Sequence, residues 1–318
     1  MILVAGIPDE RPMALVTEAL DAIGANYRVL DQRRVATAKL QLEIADAPAG
    51  GAVGGTLTLE DETVPLPEIS GMYLRLMDDR VLPGVAELPP DAPERARSRR
   101  FHELLLRFAD IAPGRVLNRP ADTASNHSKP YQAQLIRAAG FDIPETLITN
   151  DPAAAREFME RAWSSGGDVI YKSISGVRSI VRRAEQQDLA RLDQIRWCPT
   201  QFQRHVAGSD LRVHVVGDTA LAASISSAAT DYRYAARETG VGPDIGACEL
   251  EPRIERLCIR LAEKLRLPLA GIDLRRTPEG RYVCFEVNPS PAFSYYEGHA
   301  GLPIANRIAR HLAGEVAH

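Results

Sequence analysis

Between Phe285 and Phe293 the sequence reads FEVNPSPAF, an acid and an amide two residues apart followed by two prolines. Side chains alternate along a strand, so Glu286 and Asn288 point to one face while Phe285 and Val287 point to the other. Pro289 and Pro291 have no N–H to donate and stop the ladder. Two oxygen-bearing side chains held at a strand end, beside a stiff loop, suit a hard cation. Upstream, LAGIDLRR is joined to this strand through the turn TPEG. If Arg276 pairs with Arg281, Asp273 lies opposite Cys284, on the face of Glu286 and Asn288 and diagonal to Glu286. A one-residue slip turns Asp273 away. Two carboxylates and an amide oxygen, with no His or Cys among them, favour Mg2+ over zinc. The alternative for the same residues is a solvated acidic face on an edge hairpin.

Mg2+ held by few protein ligands completes its shell with phosphate oxygens, so cations that could face a phosphate matter next. Lysine fills only 4 of the 38 basic positions, namely Lys39, Lys129, Lys172 and Lys264. Arginine-favouring codon bias explains the shortage, and it makes each remaining lysine worth a question. Lys172 interrupts the apolar strand DVIYKSI, where a buried ammonium needs a counter-charge. A phosphate would supply one; a snorkelling lysine on an edge strand would not need it. The following SISGVRS, with Ser175 and Gly176, reads as a hairpin turn whose backbone N–H groups could cover phosphates. Lys129 in HSKPYQ starts a helix, where a positive charge opposes the helix dipole and a bound anion would relieve it.

In TQFQRHVAGSDLRVHVVGD a strand over 200–206 passes through a Gly-containing hinge into a second strand over 211–217. Arg212 and His214 share one face of the second strand, with Leu211, Val213 and Val215 on the other. Asp210 opens that strand and could accept hydrogen bonds from sugar hydroxyls or simply serve the turn. Arg212 could equally be a surface partner of a carboxylate. Farther on, Asp231 and Arg233 in TDYRYAARETG sit in a loop, as substrate contacts or as solvated charges.

These groups need a scaffold. With 318 residues, 45% hydrophobic and 25% charged, the chain is an ordinary globular one long enough for two or three lobes. A net charge of −4 argues against a nucleic-acid or anionic-membrane partner. No apolar run reaches a membrane span, and MILVAGIPDERP reads as a first strand without the basic region of a signal peptide. Four scattered cysteines without a C-x-x-C pair fit reduced thiols and a cytoplasmic location.

The first third reads as strand (2–7), helix from Pro12 to Ile23–Gly24, strand (27–31), a strand at 56–60 after a Gly-rich turn, and a strand at 69–76. No G-x-G-x-x-G turn supports a dinucleotide site. The Pro- and charge-rich segment 87–100 approaches a boundary near 110–120, ahead of an amphipathic helix with Leu104, Leu105 and Phe108. A helix ending at Gly140, a short strand ETLIT, a helix capped at Asn150/Asp151 and the hairpin around Lys172 follow. Beyond Thr200 come strands, a helix over 251–266 and a closing helix over 303–314. The fold class is therefore α/β and α+β: an N-terminal α/β lobe over 1–115, a central lobe over 116–200 and a C-terminal lobe over 201–318.

The order of parts (lysine before a helix, strand lysine, glycine lid, hinge, arginine strand, GID, then EVNPSP) is similar to the ATP-grasp fold of carboxylate ligases. The resemblance covers roughly 110–318. NRP, SKPYQ, FDIPETLITN, PTQFQ and DLRVHVVG resemble the RimK-like branch, and within it the peptide-modifying ligases of microviridin-type (graspetide) products. It implies that Lys129 and Lys172 contact ATP phosphates and that the backbone over Gln203, Arg204, His205 and Val206 receives adenine. It further implies that Asp210 binds ribose and Arg212 stabilises the transferred phosphoryl, while Asp273, Glu286 and Asn288 hold two Mg2+ ions. Apart from what the resemblance implies, Asp231 and Arg233 are read as orienting the nucleophile or acyl donor. The hinge departs from the Gln-Glu-Tyr frequent in such ligases, which leaves backbone contacts to adenine possible and removes the usual side-chain ones. The implied activity is ligation of a peptide or small-molecule carboxylate to an amine or hydroxyl through an acyl phosphate, in a protein that is often a homo-oligomer. An amino-acid or dipeptide ligase, and an ATP-binding regulatory module without turnover, are the alternatives.

Overall fold

The computed structural model describes residues 1–45, 52–60, 62–174, 181–227, 240 and 242–315. The chain opens with strand β1 (Ile2–Gly6), helix α1 (Arg11–Ala22) and strand β2 (Tyr27–Asp31). Pro12 sits in the first turn of α1, where its missing N–H is no loss. The chain then makes an antiparallel sheet of β3 (Lys39–Ala45), β4 (Ala52–Leu59) and β5 (Glu62–Pro65). It returns as β6 (Gly71–Leu74), crosses through helix α2 (Pro93–Ile111) and adds β7 (Arg115–Leu117). The resulting sheet is parallel in the order β2-β1-β6-β7. Every residue of β1 is buried, as expected of a strand covered on both faces. Helix α2 begins at Pro93, so most of the Pro- and charge-rich segment expected to approach a boundary is the helix itself.

Next come a 3-10 segment (Pro120–His127), helix α3 (Lys129–Ala139) and strand β8 (Thr146–Thr149). Gly140 ends α3 at φ 107°, a conformation a side chain would strain. Helix α4 (Pro152–Ser164) follows, capped by Asp151, whose carboxylate accepts from Ala153 N at 2.9 Å. Strands β9 (Val169–Ser173), β10 (Arg182–Arg183) and β11 (Thr200–Arg204) complete an antiparallel sheet in the order β10-β9-β11-β8. Val169, Tyr171 and Phe202 pack against Phe158 and Met159 of α4. Period-two alternation therefore sends Lys172 and its cross-strand partner Gln201 to the opposite face. The first sheet runs to Leu117 and the second to Arg204, a few residues beyond the expected boundaries at 115 and 200.

The last sheet is antiparallel in the order β14-β13-β12-β15-β16. Its strands are β12 (Ser209–Val216), β13 (Thr219–Ser226), β14 (Asp244–Cys248), β15 (Leu269–Arg276) and β16 (Tyr282–Asn288). Helix α5 (Pro252–Lys264) lies between β14 and β15, and α6 (Phe293–Ala300) and α7 (Ile304–Ala313) follow β16. Val213, Ile272, Leu274, Cys284 and Val287 bury one face against α3 and α5. A further core joins Val4, Val16 and Leu20 of the first lobe to Phe293, Ile308 and Leu312 of the last, so the two lobes share apolar packing. Helix α6 forms in FSYYEGHA, where a glycine and mixed aromatics hide the helical period. No helix among the described residues is long and apolar enough to cross a membrane.

Candidate active site

Three adjacent strands set Arg212, Asp273 and Glu286 in one row, since Arg212 pairs with Asp273 and Asp273 with Glu286. The expected register is corrected here. Arg276 pairs with Tyr282, not Arg281, and Leu274 with Cys284. That one-residue slip alone would turn Asp273 away from Glu286. A β-bulge between Asp273 and Leu274 leaves Phe285 as the extra residue and resets the alternation. Cys284 and Leu274 thus face the core, and Asp273 and Glu286 face the cleft directly opposite each other. In the next row Gly271 pairs with both His214 and Asn288.

Arg212 is 5% exposed and donates from Nη1 to Asp273 Oδ1 at 2.6 Å. Its guanidinium also lies over the Tyr296 ring, 5.5 Å from the centroid, so α6 serves as its floor. His214 is fully buried against Tyr296 at 5.0 Å between centroids. Neither ring nitrogen of His214 meets a hydrogen-bond partner among the described residues. Burial, reinforced by Arg212, holds its pKa well below the usual range, so it is a neutral packing residue.

Lys129, the first residue of α3, places Nζ 3.2 Å from Glu286 Oε2 and donates to Asn126 Oδ1 at 3.1 Å. One turn later the buried Gln132 amide donates to Val287 O at 2.8 Å and accepts from Val287 N at 3.0 Å. This double bond fixes the helix start to the strand between Glu286 and Asn288. Asn118, also buried, donates to Leu269 O and Pro289 O at 2.6 Å each and accepts from Leu269 N at 3.0 Å. Asn288 Oδ1 accepts from Ser290 N at 2.9 Å and starts the proline turn. Burial pushes the Glu286 carboxyl upward, but the charges of Lys129, Lys172 and Arg212 outweigh it and hold the pKa below its ordinary value. One carboxylate therefore feels three cations, from α3, from the facing central sheet and from β12.

Asp273, Glu286 and Asn288 supply oxygen donors only, which suits Mg2+ and its preference for few protein ligands plus phosphate. No group of three or more His, Cys, Asp and Glu side chains able to hold a metal occurs among the described residues. A pair of carboxylates and an amide oxygen would fit a hard ion.

At the hinge, Gln203 is 7% exposed and donates to Thr146 Oγ1 at 3.0 Å, while His205 N donates to Asp168 O at 2.8 Å. Burial, with Arg275 and Arg183 nearby, lowers the His205 pKa. Arg204 reaches Glu145 at 4.0 Å. Arg275, to which the sequence reading gave no role, donates to both Asp210 oxygens at 2.7 Å and to Val206 O at 2.7 Å. Two expected nucleotide contacts are therefore gathered on one guanidinium, itself over the Phe285 ring. A crevice of about 650 Å³ borders the hinge, lined by Phe141, Pro144, His205, Val206, Thr277 and Val283 among others. Ser175, Gly176, Asp231 and Arg233 lie outside the described residues.

Residues 125–312 match the family described as the RimK-like ATP-grasp domain. A probable alpha-L-glutamate ligase of Xanthomonas oryzae pv. oryzae is 29% identical over 196 residues, which is 58% of this chain and 63% of that protein. The chain thus spans less than two thirds of the length of that curated relative. The solved ATP-grasp ligase PsnB, complexed with a minimal precursor, Mg and ADP, is 29% identical with a TM-score of 0.76, covering 99% of this chain and 96% of that one. A Chryseobacterium gregarium RiPP-associated ATP-grasp ligase, in complex with ADP and a leader and core peptide, shares the fold. Its TM-score is 0.80 at 23% identity, over 100% of this chain and 98% of that one.

Proposed function

The chain belongs to the RimK-like ATP-grasp family, and from that premise we propose that it is an ATP-dependent ligase that joins a peptide carboxylate to an amine or hydroxyl. The observation that carries this reading is the row of Arg212, Asp273 and Glu286 across three strands, with Arg212 2.6 Å from Asp273 and Lys129 3.2 Å from Glu286. So much positive charge around one carboxylate pair suits a polyphosphate and the charge that builds during phosphoryl transfer. The likeness to PsnB with its precursor supports a peptide as substrate.

In this mechanism a carboxylate oxygen of the substrate attacks the γ-phosphorus of ATP, and the bond to the β–γ bridging oxygen breaks. ADP leaves and an acyl phosphate remains. An amine or hydroxyl then attacks the acyl carbon, loses its proton, and phosphate departs, giving an amide or ester. Lys129 and Lys172 hold phosphate oxygens, and Arg212, fixed by Asp273, neutralises the transferred phosphoryl. Asp210 and the hinge backbone over Gln203, Arg204, His205 and Val206 hold the nucleoside, with Arg275 organising them. Asp273, Glu286 and Asn288 would hold Mg2+, two ions in this reading, which when bound would screen phosphate charge. The roles that the resemblance suggests for Ser175 and Gly176 at the phosphates, and those read for Asp231 and Arg233 at the acyl donor or nucleophile, fall on residues outside the described ones. We place the reaction in the cytoplasm, in keeping with free cysteines, two of them buried, and with a homo-oligomer as the working assembly.

Intact mass spectrometry tests the reading, with Mg-ATP and an acidic peptide containing Thr, Ser or Lys that is encoded beside the gene. Loss of one water per bond formed, with matching ADP, supports it. Gain of a free amino acid residue moves the substrate class toward that in the name of the glutamate-ligase relative. Bound ATP with neither ADP nor a mass change makes the protein a regulatory nucleotide binder instead.

A further inference from the structure

The carboxyl edge of the first sheet meets the proline turn that follows β16. There Arg75, one residue past β6, donates from Nη1 to Ser290 Oγ at 3.4 Å and from Nε to Glu10 Oε2 at 3.4 Å. Ser290 N is in turn bonded to Asn288 Oδ1. Arg75 thus stands one residue contact from the donor set of the last sheet, yet it comes from a different lobe. Both contacts are at the long limit for hydrogen bonds, whereas a carboxylate taken by an arginine fork sits at about 2.8 Å on two parallel bonds. The side chains of Arg75 and Glu10 are 18% and 22% exposed, so the pair is half-buried and reachable.

The corner is built to keep Arg75 there. Its N–H donates to Ala5 O at 2.8 Å. Gly6 lies so close that a β-carbon on it would be 2.9 Å from the Arg75 carbonyl oxygen. The Tyr73 hydroxyl, on β6, is buried, and burial raises its pKa to about 12. The position also has a general logic. Ligands of open parallel sheets gather outside the carboxyl ends of the strands, and here Arg75 at that edge reaches Ser290 in the turn after β16.

We propose that Arg75 is the substrate side of the cleft: it binds a carboxylate of the acyl donor, displacing Glu10, whose carboxylate stands in for it in this structure. This rests on the ligase reading above and assigns the first lobe a part in selecting an acidic side chain. A carboxylate nucleophile approaching a polyphosphate is repelled by it. A cation outside the phosphate cluster, on the side from which the acid arrives, offsets that repulsion and orients the attacking oxygen. Glu10 guards the fork until an acid that can also reach the phosphate takes its place.

The test is binding of a synthetic Thr- and Glu-containing peptide to the full chain in the presence of Mg-AMPPNP, against the same peptide with Gln in place of Glu. Wild type should prefer the Glu peptide by about tenfold or more. Arg75→Ala should lose that preference while binding Mg-AMPPNP as before, and Arg75→Lys, which keeps charge but not the fork, should restore part of it. Glu10→Gln should tighten the Glu peptide, since the internal competitor is gone. A preference retained in Arg75→Ala, or absent from wild type that binds Mg-AMPPNP, overturns the assignment of Arg75 and leaves the ligase reading standing. Failure of wild type to bind Mg-AMPPNP overturns both.

Discussion

A β-carbon on Gly271 would stand 2.7 Å from the guanidinium carbon of Arg212 and 2.8 Å from Cβ of Pro291. The bare glycine is what lets the arginine lie flat across the sheet and meet Asp273. Gly271→Ala is therefore expected to push Arg212 off its carboxylate and to lower ADP formation by about a hundredfold, with the chain still folded by circular dichroism. Wild-type ADP formation in this variant would remove Arg212 from the phosphoryl-transfer role.

Glu286 is held ionised by its three cations, and its replacement by Gln removes the carboxylate that Lys129 meets at 3.2 Å, while Arg212 keeps Asp273. Glu286→Gln should abolish peptide-dependent ADP release while the fold survives. The accompanying stability change has a defined pH dependence. The folded pKa is depressed from the ordinary 4.5, so the stabilisation is complete above that value and is lost as pH falls through the lower folded one. Melting temperatures of wild type and Glu286→Gln should differ at pH 7 and converge in acid; a gap that widens in acid would contradict the ion-pair account.

The Gln132 amide satisfies both backbone groups of Val287 on the outer edge of β16. Gln132→Ala strands a buried N–H and C=O, at a cost of about 2–4 kcal/mol for the two groups. Urea unfolding measures it. Because the same contact fixes the start of α3, the KM for ATP should rise through Lys129 even where the variant is fully folded.

His214 offers the opposite case. Two buried ring nitrogens without partners are a liability, and Phe at this position keeps the contact with Tyr296. His214→Phe should be as stable as wild type at pH 8. Its folded pKa is depressed below 6.5, so wild type loses stability as pH falls below 6.5 while the unfolded chain takes up a proton. The variant should lose less over that range. An activity profile that shifts with pH in His214→Phe would instead give His214 a part in proton transfer.

Much of this was readable beforehand. Alternation along FEVNPSP placed Glu286 and Asn288 on one face, and two of the four lysines, Lys129 and Lys172, bear on Glu286, because side-chain direction and charge isolation are local properties. The register was not readable: the turn pairs one residue off, and the bulge at Phe285 compensates, a trade between turn geometry and twist that no pattern announces. Gln132 and Asn118 look like surface amides in SKPYQ and NRP, and only tertiary contact makes them fasteners. The parts of Arg275 and Gly271 are hidden in the sequence for the same reason, since each acts on a residue of a neighbouring strand.

The two lysines ride on different bodies. Lys129 is bound through Gln132 to the strand that carries Glu286, while Lys172 belongs to the sheet across the cleft. Any parting of the lobes takes Lys172 away from Glu286 and leaves Lys129 in place. An anion that reached both lysines would therefore tie the central sheet to the strand that carries Glu286.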